Sequence, residues 1–219
     1  MYKCPYVCLL AVCLVLPTAA WADINLVQNG GFETLGAAHP GSGYTIYDAN
    51  WWSIADQNSV PTTGVCVNGT CGAPFSPHSG NAAVWGGAYT AAHDNTTSQP
   101  STVMQQSITT LAGVWYNLTF YLSRVEVNGP PITNAWSVTW NGNQIGGATN
   151  VSSFPYTQMS YGVTGTGSDQ LGFAFFDQNG AFELDDVSLT APEPGSVSLL
   201  VTMLAGVVGL AGVLKKKLT

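Results

Sequence analysis

Between residues 24 and 190, apolar and polar residues alternate in short runs broken by Gly, Asn, Pro and Ser. A period of two, with no window of helical period, predicts β-strands that bury one face. Ile24 to Val27, Tyr44 to Tyr47, Trp51 to Ala55, Ala82 to Gly86 and Val103 to Ile108 are the first expected strands, with a polar loop around Asn95 before the last of them. Trp115 to Val127 carries the longest alternation: Tyr116, Leu118, Phe120 and Leu122 share one face, Asn117, Thr119 and Ser123 the other. It is expected at the centre of a sheet. Trp136, Val138 and Trp140 run through Asn141-Gly142, a hairpin-turn sequence, into Gln144 and Ile145. Thr157, Met159, Tyr161 and Val163 follow, and Leu171 to Phe176 is expected to turn at Asn179-Gly180 and pair with Phe182 to Thr190 as a closing hairpin. About nine or ten such strands fit an all-β antiparallel two-sheet sandwich.

The last strand breaks its own rhythm. Phe182 and Leu184 have one parity, Val187 and Leu189 the other, so the alternation shifts at Asp185-Asp186. A β-bulge there would turn one carboxylate toward the sandwich edge and leave the other in solvent.

Two flanking segments have a different character. Met1 to Ala22 has Lys3, an apolar stretch from Tyr6 to Leu16 and a small-x-small site at Ala20-Trp21-Ala22, the layout of a signal peptide that leaves Asp23 as the first mature residue. At the other end Pro192-Glu193-Pro194 precedes an uncharged run from Val197 to Leu214 and then Lys215, Lys216 and Lys217. As a helix that run would be about 27 Å long, enough for one membrane crossing. The lysines stay cytoplasmic under the positive-inside rule, which puts the body of the chain on the far side.

This order of parts over residues 191–219 resembles the PEP-CTERM sorting signal of Gram-negative bacteria, although the family's basic cluster is usually arginine-rich and this one is all lysine. The resemblance implies export across the inner membrane, a membrane-anchored precursor, an exosortase-like processing enzyme as partner, and a final place at the outer surface or outside the cell, associated with exopolysaccharide or biofilm.

With both ends removed, residues 23–190 keep Arg124 as their one Lys or Arg against eleven of the twelve acidic residues. A phosphate backbone would be repelled, which excludes nucleic acid as a partner. Unpaired carboxylates favour a hard cation such as calcium, and serve solubility equally well. Cys66 and Cys71 are the remaining cysteines; in an exported domain, with four residues between them and no second pair, they are expected to form a disulfide loop staple and not a zinc site.

Asn25-Leu26-Val27-Gln28-Asn29-Gly30-Gly31-Phe32-Glu33 near the start and Phe182-Glu183-Leu184-Asp185-Asp186-Val187-Ser188-Leu189 near the end resemble the brackets of the galactose-binding-like jelly roll shared by many carbohydrate-binding modules. That resemblance implies a structural calcium ion held by Glu33, by Asp185 or Asp186, and by a backbone carbonyl near Gly31. Read from the residues alone, Glu33 serves as well for a turn cap and the aspartates for plain strand-end surface groups.

Glycan binding needs aromatic faces open to solvent beside amides, hydroxyls or carboxylates. Trp51 and Trp52 are adjacent, so in an extended strand at most one points inward and the other is a candidate platform. Trp115 and Tyr121 lie opposite the Tyr116 to Leu122 stripe and are further candidates, with core or edge packing the competing role for each. Catalysis finds little support. His39, His78 and His93 have no metal-ligand spacing, and no nucleophile motif is present. Glu33, Glu126 and Glu183 are the carboxylates available for glycoside hydrolysis. The expected function is that of a noncatalytic exported protein that binds glycan, with a purely structural adhesin or a polysaccharide hydrolase as alternatives.

Overall fold

The computed structural model describes residues 24–40, 45–56, 63–71, 75–87, 102–126 and 133–191. The signal peptide, the Asn95 loop, His93, the Pro192-Glu193-Pro194 motif, the 197–214 run and Lys215 to Lys217 lie outside these residues. The described body, Asn25–Ala191, is one compact unit.

Twelve strands form in it: β1 (Leu35–Pro40), β2 (Thr45–Ala49), β3 (Ser53–Asp56), β4 (Gly64–Val67), β5 (Ala82–Gly86), β6 (Thr102–Thr109), β7 (Trp115–Glu126), β8 (Asn134–Trp140), β9 (Asn143–Thr149), β10 (Phe154–Thr164), β11 (Ser168–Asp177) and β12 (Gly180–Thr190). They make two antiparallel sheets, ordered β1-β2-β4-β5-β12-β7-β10 and β3-β6-β11-β8-β9. From β5 onward the chain crosses between the sheets at nearly every connection, which leaves β12 beside β5 and β11 beside β6. That interleaving is the jelly roll.

Alternation explains why the sheets stack. Tyr116, Leu118, Phe120 and Leu122 of β7 face inward with Phe182 and Leu184 of β12, and meet Trp136, Val138, Leu171, Phe173 and Phe175 from the opposite sheet, all buried. Phe120 sits edge-on to Phe173, with ring centroids 5.0 Å apart. Beyond the core, Arg124 is buried against Asp177, with Nε donating to Oδ2 at 2.8 Å.

Four expectations need correction. Ile24 to Val27 is not a strand; it runs alongside β12 with one backbone bond, Leu26 N–H to Leu189 O at 3.0 Å. Phe182 to Thr190 forms no hairpin with Leu171 to Phe176, because β11 and β12 lie in different sheets and the Asn179-Gly180 turn crosses the sandwich. Cys66 is on a strand, β4, and not in a loop. Trp51 precedes β3 in a turn, at φ 69°. The Asp185-Asp186 bulge is present: Asp185 pairs with Tyr121 and Ser188 with Thr119, two partner residues apart for three steps along β12.

Candidate functional site

The outward face of β12, β7 and β10 carries two of the predicted site residues, Trp115 and Tyr121. Register sets its rows. Thr190, Asn117 and Gly162 lie side by side, then Ser188, Thr119 and Ser160, then Asp185, Tyr121 and Gln158. Trp115 stands at the head of β7 with 49% of its surface exposed. Its indole lies over Gly162: a Cβ at that glycine would come within 2.6 Å of Trp115 Nε1. The missing side chain is what lets the ring lie across the strands. Ser160 Oγ donates to Asn117 Oδ1 at 2.9 Å, a cross-strand bond that fixes the Asn117 side chain on this face.

At the far end the face closes under residues 75–82. Glu183, Asp185 and Ser123 continue the outward rows yet are buried. Ser123 Oγ donates to Glu183 Oε2 at 2.6 Å, while Glu183 Oε1 and the Tyr156 hydroxyl are buried and have no well-formed hydrogen bond among the described residues. Burial pushes the Glu183 carboxyl up against the opposing Ser123 bond, and raises Tyr156, helped by the nearby Glu183 charge. Burial likewise pushes Asp185 up to about 7. Asp186, at φ 51° on the bulge, turns outward, where its carboxylate accepts from His78 Nδ1 and Ser79 Oγ, both at 2.7 Å. The His78 ring then stacks on Tyr121, with centroids 3.6 Å apart. Tyr121 is therefore covered, and the outer aromatic surface here belongs to His78.

Glu33, Gly31, Asp185 and Asp186 are brought to one place, around the 78–82 loop. Glu33 Oε1 accepts from the N–H groups of Asn81 and Ala82 at 2.8 and 3.0 Å, the turn-cap role. Asp185 accepts from the Ser79 N–H at 3.0 Å and from the Asp186 N–H at 2.7 Å. Gly31 lies beside Asp186, whose Oδ1 would be 3.6 Å from a Cβ there. The donors are hard oxygens, the type calcium takes. Among the described residues no three His, Cys, Asp or Glu side chains are placed to share an ion, so calcium here would draw on backbone carbonyls as well.

The tryptophan pair divides, one inward and one outward, although through the turn at Trp51 and not through strand parity. Trp52 is buried against Phe32 and Phe173, with centroids 5.8 and 6.1 Å away, and is a core residue, not a platform. Trp51 is 56% exposed but stands at the β2–β3 turn, apart from the Trp115 face. The three glutamates considered for hydrolysis occupy separate settings: Glu33 caps a turn, Glu126 lies 3.6 Å from Arg124, and Glu183 is sealed. His39 pairs with Asp48 near the β1 edge. Cys66 and Cys71 form the expected disulfide, with Cα atoms 5.8 Å apart. Sequence reading missed His78 as a partner of this site, since a residue in a Pro/Ser loop carries no periodic signal.

No family model matches the chain, and no curated protein matches it. Similar solved structures include TmCBM61 in complex with β-1,4-galactotriose, at 17% identity, covering 78% of this chain and 100% of that one, TM-score 0.45. The K1 cleaved adhesin domain of Lys-gingipain from Porphyromonas gingivalis shares 12% identity, covering 71% and 94%, TM-score 0.49. The CBM22-1 xylan-binding domain of Paenibacillus barcinonensis Xyn10C shares 10%, covering 68% and 90%, TM-score 0.40.

Proposed function

We propose that this chain is a noncatalytic, exported jelly-roll protein that binds a glycan at the outer surface of a Gram-negative cell or in its extracellular matrix. The supporting observation is Trp115: a half-exposed indole lying close over Gly162, on the same face as Asn117, Ser160 and Thr119, offers an apolar surface beside hydrogen-bonding groups, which is what a sugar ring requires. Export, an exosortase-like processing enzyme and release from the inner membrane are proposed from the two terminal segments of the sequence. A structural calcium ion is proposed at Glu33 and Asp186, beside Gly31 and Asp185; it would add a charge bridge to the existing clasp on the 78–82 loop.

Retention of the purified protein on immobilised exopolysaccharide tests the reading. Wild type should be held, and Trp115→Ala should elute early at unchanged thermal midpoint. Absence of saturable retention, with a loss of biofilm cohesion on deletion of the gene, would favour a purely structural adhesin.

A further inference from the structure

The open face is longer than one sugar. From Trp115 to Tyr121 is six residues of extended strand, about 20 Å, with an aromatic group at either end: the Trp115 indole at one, and the His78 ring stacked on Tyr121 at the other. Between them lie the Asn117 amide, the row of three hydroxyls on Ser188, Thr119 and Ser160, and Gln158. Every one of these groups is polar and uncharged. The titratable groups that border the surface beside the His78 ring are acidic, Asp186 against it and the buried pair Glu183 and Asp185. Across the whole 23–190 span Arg124 is the one fixed cation, and it is buried against Asp177. A polymer of uronic acids or a sulfated chain would meet net repulsion and no exposed lysine or arginine to pair with its anions.

We infer that the strip from Trp115 to His78 is a track for an extended, uncharged polysaccharide chain lying along β7, and that it excludes polyanionic glycans. This rests on the glycan reading above and adds the chemical class of the ligand, its length and its direction. One sugar stacks on the Trp115 indole, the next ones exchange hydroxyl hydrogen bonds with Asn117, Thr119, Ser160 and Ser188, and a distal one reaches the His78 ring.

Affinity electrophoresis of the full-length protein tests the inference, in gels containing hydroxyethylcellulose, laminarin, galactan or xylan as neutral chains and polygalacturonate as the anionic one. Retardation is expected with at least one neutral polymer and none with polygalacturonate. Oligosaccharides of the bound polymer should compete where its monosaccharide does not. Trp115→Ala should weaken retardation by a few-fold to about tenfold, the scale of one aromatic stacking contact. Gly162→Val retains every aromatic residue but displaces the indole, and should weaken it similarly; Trp51→Ala should leave it unchanged. Equal retardation by polygalacturonate, or full competition by the monosaccharide, would overturn the track. Loss in Trp51→Ala with none in Trp115→Ala and Gly162→Val would leave glycan binding standing and move it off this face. No retardation in any polymer would overturn both.

Discussion

Asp169 illustrates how one carboxylate fastens several loops. It is buried, which alone would raise its pKa, yet bonds from Thr110, Asn141 and Thr166 prevail and hold it down at about 2. A depressed carboxyl stabilises the fold above its unfolded pKa and withdraws that stability as pH falls through the folded value. Thermal midpoints should therefore decline between about pH 4 and pH 2, and Asp169→Asn should flatten that decline while lowering the midpoint at pH 7. Single residues were partly legible in the sequence. Parity put Trp115 on the outer face; for Trp51 and Trp52 the extended-strand premise failed at a turn, and which indole was open depended on Phe32 and Phe173 packing against Trp52. Nor could parity reveal that His78, from a distant loop, covers Tyr121.

Among the elements, those with clean alternation were readable nearly to their ends, as β7 and β8 are. The Asn141-Gly142 turn was readable as well, since both residues adopt positive φ, 51° and 77°, which Asn and Gly tolerate. The shift of parity at Asp185-Asp186 reported a bulge correctly because inward residues on either side of it are strongly apolar. Strand β4 was hidden. Its Gly64, Val65 and Cys66 are all buried, since Phe75 covers its outer face and builds a second small core with Ile46, Cys66 and Ala83. A strand buried on both faces does not alternate. Pairing was the other blind spot: parity identifies β11 and β12 as strands, but a short turn joins partners in one sheet or crosses between two with the same sequence. The Cys66–Cys71 bridge ties β4 to the segment that leads toward Phe75. Replacing both cysteines by alanine should cost about 2 kcal/mol, the loop-closure value for so short a ring, read as a lower denaturant midpoint with glycan retention preserved.

At the scale of the whole molecule, the jelly roll brings the two ends of the sandwich together. Asn25 bonds the backbone of Val187 and Leu189 at 3.0 and 2.9 Å, and Val187 N–H reaches Gly30 O at 2.9 Å. The bracket sequences were legible as a pair for this reason: both are needed at one seam. If calcium strengthens that seam, a chelator should lower the thermal midpoint and added calcium restore it, since a ligand bound by the folded state alone must stabilise it; an unchanged midpoint would remove the ion from the account. In the proposed track, the acidic balance of the body and the uncharged strip on one sheet together would select neutral glycans. Proton NMR of the indole N–H signals during titration with a retained neutral polysaccharide follows this most directly, with the Trp115 signal assigned through Trp115→Phe. Trp115 should shift in proportion to bound glycan while Trp51 stays in place. A moving Trp51 signal beside a stationary Trp115 would contradict the proposed track.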